Sequence, residues 1–217
     1  ENITFGLNAK ANFYIGDKDG NEWVFHNNEP LIDISNIKII GQHNKLNILA
    51  AMSLCSVFDI DLTKIENVIN NFSGLAHRSQ AVDTNDGVRW FNDSKATNIG
   101  ATSAALKGFA GNPIHLILGG QAKGQDFSEL LSVLTNNIIQ IIIYGEDAAK
   151  ILDAVKDKKD IKTVCVQTLE QSVEAAKKLT SKGDVVLFSP ACASFDQFDN
   201  YMHRGKSFVD IVKRICS

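Results

Sequence analysis

No apolar run in this chain is long enough to cross a bilayer as a helix. The longest, Ile138–Tyr144, is broken by Gln140, and a span needs roughly 20 apolar residues. Cysteine is sparse as well. Cys55, Cys165, Cys192 and Cys216 lie far apart and form no C-x-x-C pair, which argues against both a disulfide framework and a zinc site. Reduced thiols in a cytoplasm are the expectation. There is no excess of positive charge: 22 Lys and Arg face 25 Asp and Glu, for a net charge of −3. The cations are scattered, so nucleic acid is not an expected partner. The sequence opens on Glu1 without a basic start or an apolar stretch; no signal peptide is expected, and the opening reads as a cut in a longer chain. Missing too are a G-x-x-x-x-G-K-[ST] phosphate loop and a G-x-G-x-x-G placed between a strand and a helix, which weighs against an oxidoreductase.

What is present suits one or two globular domains: 217 residues, 44% hydrophobic and 22% charged. From Thr4 to Ile40 the pattern is short β-type segments, small and antiparallel. Asn12–Ile15 and Glu22–His26 flank Asp17-Lys18-Asp19-Gly20 as a hairpin. Two helices follow, over Asn44–Phe58 and from Leu62 to Phe72, ending at Ser73-Gly74. A domain boundary is placed there, giving 1–74 and 75–217. Beyond it, Val88–Phe91, Ile114–Leu118, Ile139–Tyr144, Lys162–Val166 and Val185–Phe188 read as strands. They alternate with helical stretches at 98–108, 127–135, 147–155, 169–180 and 204–215. That alternation predicts an α/β domain with a mainly parallel sheet and helices on both faces, because parallel strands need crossovers.

In such a sheet, ligands bind beyond the carboxyl ends of the strands. Three polar segments fall there. Asn92-Asp93-Ser94-Lys95-Ala96-Thr97-Asn98 supplies helix-capping residues, and capping alone is the plainer reading of each. Lys95 is different, since a cation beside a helix N-terminus makes sense if an anion sits there too. Gly119-Gly120-Gln121-Ala122-Lys123-Gly124 offers a tight turn plus a point charge for carboxylate or phosphate. Ser189-Pro190-Ala191-Cys192-Ala193-Ser194-Phe195-Asp196 is either a tight strand-to-helix loop or a concave site in which Ser194 binds a carboxylate. Upstream, Gly41-Gln42-His43-Asn44 with Asn47 is either a helix cap or a pair of amides reading an adenine edge. His77-Arg78 is either a surface ion-pair partner or a phosphate clamp. His26, His115 and His203 have no ligand spacing around them.

In this order and spacing, these five segments, with Leu75-Ala76 before His77 and Gln197-Phe198 after Asp196, resemble the Mur ligases, ATP-dependent amide ligases of the cell wall. The likeness covers nearly the whole chain and is greatest to the D-glutamate-adding branch. It implies that 1–74 is the last part of a central α/β ATP-binding domain and 75–217 a complete Rossmann-like C-terminal domain. It also implies that Asn44 and Asn47 contact adenine, and that Arg78 and Asp93 meet the ATP phosphates or ribose. Lys95, the catalytic candidate, would lie beside the transferring phosphate. Thr97 and Lys123 would hold the α-carboxylate of D-glutamate, and Ser194 with the backbone near Tyr201 the distal one. ATP and Mg²⁺ are the implied cofactors, with the metal ligands mostly upstream. UDP-N-acetylmuramoyl-L-alanine is the implied second substrate, in the cytoplasm of a bacterium, with a monomeric enzyme. Without a phosphate loop, this piece alone is expected to be inactive.

Two departures stand out. Gln80 occupies a place where an acid is expected after His-Arg, and Gln121-Ala122 replaces an acidic residue and glycine. The rival readings are another Mur-type ligase, adding a different amino acid or acting as a folylpolyglutamate synthase, and a non-catalytic module that binds a nucleotide or amino acid. Lys123 and Ser194 suit a short dicarboxylic amino acid, and no basic signature for a diamino acid is seen.

Overall fold

The structure, a computed structural model, describes residues 2–39, 41–58 and 60–216. Ile40, the end of the expected β-rich stretch, lies outside them. The chain divides into two compact units, 1–74 and 75–217.

The first unit has a four-stranded sheet, β1 (Phe5–Gly6), β2 (Phe13–Lys18), β3 (Asn21–His26) and β4 (Glu29–Asp33), in sequential order. The β2–β3 hairpin closes through Asp19-Gly20, with φ of 56° and 82°. A two-residue loop with both φ positive matches the right-handed twist of its strands, which makes the turn tighter than the four-residue loop expected from sequence. The sheet also departs from the purely antiparallel expectation, since β1 runs parallel to β2. Helices α1 (Gln42–Cys55) and α2 (Leu62–Asn71) follow. From α1, Ile48, Leu49 and Met52 pack against Phe13, Val24, Ile32 and Ile34. The α1 N-cap is Gly41, without a side-chain hydrogen bond, so Gln42, His43 and Asn44 belong to the helix rather than capping it.

The second unit is a six-stranded sheet. Its strands are β5 (Gln80–Val82), β6 (Arg89–Asn92), β7 (Ile114–Gly119), β8 (Ile138–Tyr144), β9 (Lys162–Cys165) and β10 (Val185–Ala191). Across the sheet the order is β5-β6-β10-β7-β8-β9, parallel except at the β5 edge. Period-two alternation sends side chains to two cores. Ile114, Leu116, Leu118, Ile141, Ile143, Val185 and Leu187 face α3 (Ile99–Gly108) and α4 (Ala148–Val155). Ile117, Ile142, Tyr144, Val186 and Phe188 face α5 (Leu169–Lys177) and α6 (Tyr201–Cys216). Each fully buried aliphatic side chain contributes about 1.5–3 kcal/mol over its exposed form.

The stretch expected as a helix over 127–135 is a 3₁₀ segment, Phe127–Ser132. Asp126 caps it, and the β-branched and polar residues Val133, Thr135, Asn136 and Asn137 do not extend it. The last helix begins at Tyr201, a turn earlier than its periodicity suggests. No helix among the described residues is long and apolar enough to cross a membrane.

Candidate active site

The last strand, β10, lies between β6 and β7, and there the order of the sheet reverses. The carboxyl ends of these three strands carry the three polar loops, so topology alone gathers segments separated by roughly 25 to 100 residues in sequence at a switch point.

The first loop follows β6. Asn92 is fully buried: its Nδ2 donates to the Gly205 carbonyl at 3.0 Å and lies 3.0 Å from His77 Nδ1, while its Oδ1 accepts from Ser94 N–H. The capping role expected among Asp93, Ser94, Thr97 and Asn98 falls to Asn98, whose side chain accepts from Ala101 N–H. Asp93 does something else. It is 7% exposed and accepts from Ser189 Oγ at 2.7 Å and from Ser79 N–H at 3.1 Å. Burial pushes its carboxyl up to about 6, against the pull of those two bonds and of the nearby Arg78 charge. Arg78 itself is exposed. The turn that carries it is clamped to the loop, because Lys95 N–H donates to the His77 carbonyl. His77 and Ser79, on either side of Arg78, adopt positive φ of 64° and 43°. Strain of this kind persists where surrounding bonds over-determine it.

Lys95 is half-buried, its ammonium 3.8 Å from the centroid of the Tyr201 ring, an attraction between cation and ring face. Ser94 Oγ donates to the Tyr201 carbonyl at 2.8 Å. Thr97 is exposed.

The second and third loops are stitched together by Gln121 and Ala193, which exchange backbone hydrogen bonds of 3.0 and 2.9 Å. The glycines are sterically required here. A Cβ on Gly119 would stand 2.0 Å from the Tyr144 carbonyl oxygen, and one on Gly120 2.2 Å from that of Ala193. Lys123 adopts a φ of 53°, is exposed, and points its ammonium to 4.7 Å from the Phe195 ring centroid. Ser194 is buried, at 2% exposure. Cys192 is buried and its thiol is pushed up to about 12, chiefly by burial, so it is not a nucleophile at neutral pH.

The fold therefore brings Arg78, Asp93, Lys95 and Tyr201 together around one loop, and Lys123 and Ser194 together on the adjoining pair. Thr97 sits on the first loop with its side chain in solvent. Asn44 and Asn47 are on α1 of the first unit, Asn47 Nδ2 lying 3.5 Å from Asn44 Oδ1. Two residues that bind these loops together were not singled out from sequence. Gln125 donates to the Ala191 carbonyl at 2.6 Å and accepts from Ile99 N–H, joining β10 to the start of α3. Arg204 is completely buried and bonds to Ser94. Its signal was available: it falls on the stripe of Phe208, Val212 and Cys216, four residues apart on α6.

Sheet order, switch point and loops define a doubly wound α/β domain. The family described as Mur ligase, glutamate ligase domain, matches residues 77–192. The chain belongs to the Mur ligase family. It is 40% identical over 211 residues to UDP-N-acetylmuramoylalanine–D-glutamate ligase of Baumannia cicadellinicola subsp. Homalodisca coagulata, covering 97% of this chain and 46% of that protein. The chain thus spans about half the length of the curated relatives it matches. Solved structures that share its fold include two from one organism. UDP-N-acetylmuramate–alanine ligase of Thermotoga maritima has a TM-score of 0.67 at 18% identity, over 96% of this chain and 47% of that one. The MurF ligase of the same organism, in complex with ADP, has a TM-score of 0.67 at 16% identity, over 98% and 48%.

Proposed function

We propose that the chain is the C-terminal half of an ATP-dependent ligase that joins D-glutamate to UDP-N-acetylmuramoyl-L-alanine. The observation that carries this reading is 40% identity, over 97% of the chain, to a ligase of that name. The grouping of Lys95, Lys123 and Ser194 at one switch point supports it. In this reading a carboxylate takes the γ-phosphoryl group of ATP to give an acyl phosphate and ADP. The amine of D-glutamate then attacks the acyl carbon and phosphate leaves.

The chain's contribution is to place and neutralise charge. Lys95, held over the Tyr201 ring, offers its ammonium to the transferring phosphate. Lys123 and Thr97 take the α-carboxylate of D-glutamate, and Ser194 with the backbone near Tyr201 takes the distal one. Arg78 and Asp93 are the nucleotide-facing groups of the second unit, and Asn44 and Asn47 of the first unit read adenine. Mg²⁺ supplies charge neutralisation to chemistry of this class. Among the described residues no cluster of three or more His, Cys, Asp or Glu side chains could hold a metal. A bacterial cytoplasm and a monomeric enzyme go with the same reading.

The test is ATP-dependent phosphate release by the full-length protein with UDP-N-acetylmuramoyl-L-alanine, offering D-glutamate, L-glutamate, L-lysine and meso-diaminopimelate separately. Release with D-glutamate alone is expected, and none from the 217-residue chain run alongside. Release with another amino acid would move the protein to a different branch of the family. No release at all would favour a binding module.

A further inference from the structure

An arginine with no solvent exposure is costly unless its guanidinium is answered. On Arg204, Nε donates to Ser94 Oγ at 3.0 Å and Nη2 to the Ser94 carbonyl at 2.8 Å. Its guanidinium carbon lies 5.8 Å from the Phe188 ring centroid. The remaining nitrogen, Nη1, is buried without a hydrogen-bond partner among the described residues. It stands at the Gly-Gly turn, where a Cβ on Gly120 would approach it to 3.2 Å. The Arg204 charge also acts on the Tyr144 hydroxyl at the end of β8 and on the Cys192 thiol beyond β10. One guanidinium is therefore in contact with, or in electrostatic reach of, all three strand-end loops.

We propose that Arg204 is the positioning residue of the amino-acid site, fixing the three loops in register with one another. The proposal rests on the ligase reading above. Ser94 directly precedes Lys95 and stands three residues before Thr97, and its hydroxyl passes the contact on to the Tyr201 carbonyl. Gly120 stands three residues before Lys123, and Cys192 two before Ser194. Every group assigned to D-glutamate thus hangs from backbone that this side chain gathers. Asp93 is held separately, by Ser189 and Ser79, so the nucleotide-facing pair depends on Arg204 far less. Lysine does not reproduce the arrangement, because a point charge cannot bond as a planar fork.

The experiment uses the full-length protein with Arg204→Lys and Arg204→Met. The KM for D-glutamate is expected to rise about tenfold or more in both, with the KM for ATP changing less than about threefold. Equal rises in the two constants, or a Lys variant with wild-type kinetics, would overturn the proposal. If either variant fails to fold, Ser94→Ala removes the hydroxyl and leaves the guanidinium, and is expected to give the same split at smaller size; an unchanged ratio of the two constants there counts against the idea. Hydrogen exchange supplies a readout independent of turnover. In Arg204→Lys, exchange at 93–97, 120–124 and 192–196 should rise together while β7 and β8 stay protected. A rise confined to 93–97 refutes the joint role even if the protein uses another amino acid. Absence of D-glutamate-dependent turnover in the wild type refutes the ligase reading instead.

Discussion

Replacing Asp93 with asparagine should change how stability depends on pH, and the sign follows from the structure. Its carboxyl titrates near 3.8 in an unfolded chain and at about 6 in the folded one, chiefly because it is buried. Between those values the folded protein holds a proton that the unfolded chain has released, so stability falls as pH rises. The contribution is fully present below the unfolded value and lost above the folded one. A shift of roughly two units corresponds to about 3 kcal/mol. An amide at this position does not titrate, so the stability of Asp93→Asn relative to the parent should increase by about that amount between about pH 4 and pH 7. Taking the difference cancels titrating groups common to both proteins. Urea unfolding in a Trp23→Phe background is the assay, because Trp90, buried in the second unit, then reports alone. A difference that does not vary with pH, or that narrows as pH rises, would refute the reasoning. The result also bears on function: near neutral pH the protein keeps a buried carboxylate at a cost to stability, which fits a group retained for what it binds.

Two further outcomes are expected. Lys123→Ala should raise the KM for D-glutamate about 10- to 100-fold through loss of a charge-assisted bond, with the KM for ATP nearly unchanged; steady-state kinetics of the full-length enzyme check this, and a parallel loss of ATP affinity would contradict it. Gly119→Ala should lower stability by more than about 2 kcal/mol, because its φ of 142° and the 2.0 Å approach to the Tyr144 carbonyl leave no room for a methyl group; a thermal melt matching the parent's would count against the turn geometry.

Much of this fold was legible because its central strands β7, β8 and β10 are short runs rich in Ile, Val and Leu separated by helical stretches, a pattern that buried parallel strands impose. The short edge strand β5, Gln80–Val82, was not legible: three residues carry too little periodicity, and its place depends on β6. The 3₁₀ segment at Phe127–Ser132 read as a helix because Phe127, Leu130, Leu131 and Leu134 have helical spacing, and spacing does not report which hydrogen bonds form. Within the site, charges at strand ends were readable from position. What Asp93 does was not, since its partners Ser189 and Ser79 lie 96 and 14 residues away and only folding makes them neighbours. Arg204 was overlooked because arginine is normally solvent-facing, although its place on the apolar stripe of α6 pointed inward.

The insertion of β10 between β6 and β7 also sets an order of events during synthesis. As the chain leaves the ribosome, β7, β8 and β9 pair with their neighbours in turn. Strands β6 and β7 share no hydrogen bonds, so each waits with an open edge until Val185–Ala191 emerges. Unpaired edges of this kind invite pairing with other chains, and translation at about 5–20 residues per second keeps these two open for several seconds. A nascent chain that stalls between Gly119 and Val185 would hold both of these edges open for as long as the stall lasts.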